Sequence, residues 1–127
     1  MQVFFSLDQQ GRPANSQEVF GTMRVLDNSA MHTDLVTGVY TYQDGSTVRE
    51  STISALVTND DQLTLIKRYA ARFNQESILL VDDKGQASLV FIKDGSSVSL
   101  GRWTNVIDIK GLNAYTIVNG LYFACVA

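Results

Sequence analysis

The chain has 127 residues, close to the usual size of one domain and long enough to bury a single hydrophobic core. Apolar and aromatic residues make up 45 % of it and its mean hydropathy is +0.01, which excludes an intrinsically disordered chain. One cysteine, Cys125, excludes an internal disulfide framework, and 13 acidic against 10 basic side chains give a net charge of −3, which argues against non-specific nucleic-acid binding.

The N-terminal run Gln2 to Leu7 reads as a first strand. It is too short for a signal peptide, it has no basic leader, and Asp8 follows at once. Gly11 and Pro13 mark a loop. Asn15 or Ser16 then caps a short helix through Leu26, with Val19, Phe20, Met23 and Leu26 at helical spacing. Leu35 to Tyr42 and Thr47 to Thr58 form a hairpin about the Asp44-Gly45 turn. The apolar parity slips between Val48 and Ile53, which predicts a bulge near Glu50-Ser51.

Asp60 to Phe73 is the strongest helix. Asn59 or Asp60 caps it, and Lys67, Arg68 and Arg72 lie toward its negative end. Leu63, Ile66, Tyr69, Ala70 and Phe73 make its apolar stripe, and Asn74 ends it. Ser77 to Asp82, Ala87 to Lys93 and Ser97 to Leu100 read as a three-strand meander. The tail adds a strand or short helix at Thr104 to Ile109 and a hairpin of Tyr115 to Val118 with Leu121 to Val126 about Asn119-Gly120. This order predicts one α+β domain over 1–127: an antiparallel sheet with a ferredoxin-like βαββαβ core and extra C-terminal β-hairpins.

Thr47-Val-Arg-Glu50, the strand Ser54-Ala-Leu-Val57 and the segment Arg68-Tyr-Ala-Ala-Arg-Phe-Asn-Gln-Glu-Ser-Ile-Leu-Leu80 carry a resemblance. Residues of about 40–82 are similar to a family of small bacterial α+β proteins with an Arg-Glu, strand, helix, Arg-Phe-x-Gln-Glu-Ser pattern. The chain departs from that family in lacking a secretion signal and in its long β-rich C-terminus. The family has no established activity, so the resemblance implies a fold and no function.

The chemistry-bearing residues are sparse. His32 and Cys125 cannot supply the three or four ligands of a zinc site, and no nucleophile elbow supports a histidine-dependent triad. His32 reads as a surface residue and Cys125 as a buried thiol. No glycine-rich phosphate loop is present, and Asp60-Asp61 and Asp82-Asp83 read as a helix cap and a turn. We therefore expect no metal and no cofactor.

Three groups remain as candidates for binding a ligand or partner. Tyr40 and Tyr42 share a face of one strand and flank Arg49 or Glu50 across the hairpin, an arrangement that can stack on a planar ligand. Arg68 and Arg72 lie one turn apart, with Gln75 beyond, in position to hold an anion. Arg102-Trp103 has the composition of an interface anchor. For each group there is a plainer reading, as a solvated sheet face, dipole complementarity and core.

The sequence alone favours a non-enzymatic binding domain, a small inhibitor of viral, plasmid or environmental origin that sequesters a small ligand or covers a protein surface. A small metal-free enzyme using Arg, Glu and Tyr in a sheet-face pocket is the alternative, and a structural subunit a third. We expect a cytoplasmic homodimer or larger assembly, with no membrane and no nucleic-acid partner. No stretch has the roughly 20 apolar residues of a membrane span.

Overall fold

The computed structural model describes residues 1–9 and 11–127. β1 (Gln2–Ser6) is apolar at its three central positions because both its faces are covered. Val3 and Phe5, with Leu7 just beyond, face the helices, and Phe4 faces the opposite way. α1 (Ser16–Asn28) follows. Its N-cap is Asn15, whose side chain accepts from Glu18 N at 2.9 Å while Glu18 Oε1 accepts from Asn15 N at 3.1 Å. Val19, Thr22 and Leu26 are its buried face, and Phe20 points to solvent. The stripe expected from spacing is thus one residue out of phase at Phe20.

β2 (Thr33–Thr41) and β3 (Thr47–Leu56) pair without interruption from Thr33↔Ala55 to Thr41↔Thr47. The expected bulge near Glu50-Ser51 is absent. Parity slips there because the two faces of β3 have different apolar neighbours. Ile53 and Ala55 lie under the helices, while Val48, Glu50 and Thr52 face the other way.

α2 (Asp60–Arg72) is capped by Asn59 and buries Gln62, Ile66 and Ala70. Asn74 takes the left-handed conformation, φ 57°, that ends it. Both helices press on the outer faces of β1 and β3 through one core that includes Leu26, Ile53 and Ile66. Burying each such side chain contributes about 1.5–3 kcal/mol, and truncating Ile66 to alanine removes about 2–5 kcal/mol. No helix among the described residues is long and apolar enough to cross a membrane.

The second half is strand throughout: β4 (Ser77–Val81), β5 (Gln86–Phe91), β6 (Ser97–Val106), β7 (Ala114–Val118) and β8 (Leu121–Val126). β6 has ten residues because it serves two neighbours. Its first half pairs with β5 and its second half with β8, from Arg102↔Val126 to Val106↔Tyr122. Gly101 sits at the change of partner, next to a register shift, with φ 92°. β7 pairs with β8 and, through Gly38↔Thr116, with β2.

These pairings correct the expected fold. The described residues form a closed antiparallel barrel of eight strands, in the order β1-β3-β2-β7-β8-β6-β5-β4, with two outer helices. It is not a ferredoxin-like α+β sheet carrying extra hairpins. The C-terminal hairpin joins β2 to β6 and so removes both free edges, which an open sheet would leave unpaired. Thr104 to Val106 belongs to β6, so the helix allowed for there does not form. Eight strands enclose a space that side chains can fill. Phe4, Val36, Val81, Ala87 and Trp103 fill it, with Trp103 4.8 Å from the Phe4 ring and stacked at 5.8 Å on Phe123.

Candidate active site at the mouth of the barrel

The barrel is not filled to the end where β1 leaves it. β1 and β3 pair only as far as Ser6↔Thr52. β2 carries Gly38 opposite Glu50, a position with no side chain. A Cβ built there would lie 2.9 Å from Thr52 Oγ1, so the strands approach closely and the space above stays open. The result is a cleft of about 1150 Å³. Phe4 and Leu79 lie at its apolar side, Ser6, Thr52 and Thr116 at its polar side, and Tyr40, Tyr42, Arg49 and Glu50 along the hairpin that overhangs it.

Glu50 is half-buried. Burial raises its pKa above the ordinary glutamate value, and the negative charge of Asp8 adds to the rise. The nearby Ser6 hydroxyl opposes both. Tyr40 keeps 45 % of its surface exposed, and its pKa is raised first by the partial loss of solvent about it and then by the charges of Glu50 and Tyr42. Among the described residues Glu50 makes no ion pair. Arg12, at the same cleft, is held by Glu18 at 3.0 Å. The cleft therefore presents a carboxylate without a cationic partner beside aromatic rings, which suits a ligand that is itself a cation.

Five of the residues singled out from the sequence meet here: Tyr40, Tyr42, Arg49, Glu50 and Gln75. Gln75 is occupied, its Nε2 donating to Asp8 O at 2.6 Å. Arg68 lies elsewhere, in a smaller hollow of about 430 Å³ with Asn59, Asp61 and Gln62. Arg72 stacks on its own helix, 4.9 Å from the Tyr69 ring centroid. Arg102 donates to Lys84 O at 3.2 Å, and Trp103 packs within the barrel. These last four do not join the cleft.

Sequence reasoning missed Ser6, Asp8, Gly38 and Thr52. A lone glycine inside the Val- and Thr-rich run of β2 was a signal for close backbone approach. The abrupt Asp8 after an apolar strand was a second one. His32 is exposed, 3.4 Å from the Asp34 carboxylate, and Cys125 is half-buried, its thiol pKa pushed up by that burial. Among the described residues no group of three or more His, Cys, Asp or Glu is placed to hold a metal ion.

Residues 6–126 match the family model described as the S-Adenosylmethionine lyase family. The chain belongs to this family. No curated protein matches the chain. The match runs through both helices and the seven strands β2 to β8, and it includes the segment about 40–82 that resembles small bacterial proteins. It overturns the expectation of a non-enzymatic binding domain, whether inhibitor or generic ligand trap. A lyase family supports the other reading, an enzyme with Arg, Glu and Tyr in a pocket.

Proposed function

We propose that the chain cleaves S-adenosylmethionine at a carbon–sulfur bond in the cleft around Glu50 and Tyr40. The observation that carries this is the half-buried Glu50 carboxylate, unpaired among the described residues and set beside aromatic rings. S-Adenosylmethionine is a sulfonium, with a fixed positive charge on sulfur. A carboxylate and the faces of Tyr40 and Phe4 attract that charge in a site partly shielded from water. The exposed Arg49 is placed to receive the substrate carboxylate.

The chemistry asks little of the protein. When the bond breaks, its electron pair stays on sulfur, which leaves as a neutral thioether and needs no proton donor. On the carbon side, either the substrate's own carboxylate bonds to the carbon that sulfur leaves, or a neighbouring carbon loses a proton to Glu50 and a double bond forms. Both balance without water, oxidant or metal. In both, the working form of Glu50 is the charged one. The cleft contributes by holding a reactive conformation and excluding water. The lone cysteine accords with a cytoplasmic setting.

The test is incubation of purified protein with S-adenosylmethionine, with products read by mass spectrometry. A neutral nucleoside thioether should accumulate. The mass of the amino-acid fragment, and its reactivity toward hydroxylamine, separates a cyclic ester from an unsaturated acid. No loss of substrate above background, with protein shown to be folded, would refute the proposal.

A further inference from the structure

The seam between β1 and β3 opens at the mouth, and side chains continue it. Beyond Ser6↔Thr52 there is no backbone partner on β1 for Ser51, the residue after Glu50. Ser51 O instead accepts from Ser6 Oγ at 3.1 Å, and Ser51 N donates to Asp8 Oδ2 at 3.2 Å. Asp8 is anchored from every side. Its Oδ1 accepts from Ala14 N at 2.8 Å, at the far end of the following loop. Its own N–H donates to Ser6 Oγ at 2.9 Å, and its carbonyl accepts from Gln75 Nε2 at 2.6 Å. One residue thus ties the end of β1 to β3, to the approach to α1 and to the segment after α2.

This arrangement does two things at once. It lets the cleft exist, because a continued backbone ladder would close the seam. It also sets a second carboxylate beside Glu50. The other charged or titratable groups around Glu50 are Tyr40 from β2, Tyr42 from the turn that follows it, Arg49 from β3, Glu76 from the segment after α2 and Arg12 from the loop after β1. Arg12 is committed to Glu18.

Resting on the activity proposed above, we propose that Asp8 is a positioning residue of this site: its carboxylate fixes the backbone that carries Glu50 and sets the negative potential in which Glu50 works. Asp8 acts through Glu50, whose retained proton affinity is the measurable consequence.

The experiment reads Glu50 directly. The chain holds only three glutamates, Glu18, Glu50 and Glu76, so carboxyl-labelled glutamate gives three carbon-13 signals to follow against pH. In Asp8→Asn, which loses the charge and keeps one of the two acceptor oxygens that hold Ala14 N and Ser51 N, the Glu50 midpoint should fall toward the ordinary glutamate value. The acidic limb of S-adenosylmethionine cleavage should move to lower pH with it, and kcat/KM should fall about tenfold. Asp8→Glu should restore the midpoint in part. An unmoved Glu50 midpoint in folded Asp8→Asn overturns the proposal, because a purely structural role would cost rate or stability and leave titration alone. Should Asp8→Asn fail to fold, Asp8→Ser, which keeps a hydroxyl acceptor and loses the charge, decides by the same reading: a Glu50 midpoint that does not fall overturns the coupling. The titration does not need turnover. An inactive wild type would therefore refute the activity, while the titration would still judge the coupling of Asp8 to Glu50.

Discussion

Gly38 offers the sharpest separation of site from scaffold. It lies opposite Glu50 on the face of β2 that opens into the cleft, and its backbone is in an ordinary strand conformation. A Cβ there would sit 2.9 Å from Thr52 Oγ1, roughly half an ångström inside normal contact. Thr52 can yield by turning its side chain. That sacrifices its 3.4 Å hydrogen bond to Glu50 O, at a cost of about 1 kcal/mol. Against this, replacing glycine by alanine lowers the entropy of the unfolded chain and returns about 0.4–1 kcal/mol. The two nearly cancel, so Gly38→Ala should melt within about 4 °C of wild type for a chain of this size. Gly38→Val adds methyl groups toward the space that substrate needs, near Tyr40 Cε2, which already lies 3.7 Å from the built Cβ. Displacing a bound substrate by about 1 Å costs on the order of 10²-fold in rate. Thermal unfolding and initial rates of S-adenosylmethionine cleavage, measured on both variants, test the reasoning. A well-folded Gly38→Val with wild-type kcat/KM would show that the cleft is not the site.

The other expectations are briefer. Glu50→Gln should lower kcat/KM by about 10²-fold or more and raise the melting temperature at neutral pH. The sign follows from the raised pKa: the folded state disfavours the charged carboxylate, so its stability cost develops as pH climbs above the ordinary value of 4.5 and is complete above the folded value. The gain in melting temperature should therefore shrink as the pH is lowered toward 4.5, and a constant gain would be inconsistent with this origin. Gly101→Ala should destabilise by about 2–3 kcal/mol, since φ 92° strains any side chain and the new Cβ would meet Val126 O. Gly95→Ala, with φ 73° but open space around it, should cost only the strain, and equal melting temperatures for the two would refute the close approach. Trp103→Ala should cost about 3 kcal/mol or more, measured by urea unfolding, because the ring fills the barrel against Phe4 and Phe123. A neutral result would mean that Trp103 is not part of the barrel packing.

Much of the local structure was legible. Asp44-Gly45 and Asn119-Gly120 named their hairpins, and Asn59 and Asn74 bracketed α2, because each of these choices is made by backbone conformation within a few residues. Closure was not legible. It depends on Gly38 meeting Thr116 and on Trp103 meeting Cys125, pairings between segments far apart in the chain. Alternation tells which face of a strand is apolar but not which strand lies beside it. A sheet with helices on one face and a barrel with helices on one side have the same periodicity, and only the pairing of the last hairpin distinguishes them.

The site shows the same boundary between local and distant information. Tyr40, Tyr42, Arg49 and Glu50 could be gathered from one hairpin, since register follows from its turn. Arg68, Arg72, Arg102 and Trp103 carried equal chemical promise and fell outside, because nothing in their own neighbourhood fixes which way the barrel opens. What fixes it is the end of β1. Phe4 fills the interior, Ser6 begins the polar wall, and Asp8 turns the chain away while its side chain stands in for the missing strand. An apolar strand that ends in Ser-Leu-Asp is unremarkable by composition. Its meaning comes from β3 lying alongside, where Ser51 would otherwise lack partners and Glu50 would face a closed wall. A carboxylate that replaces a strand is therefore both the reason for the opening and a source of its charge, and because its two oxygens accept from two different N–H groups, no single substitution removes the charge and keeps both bonds.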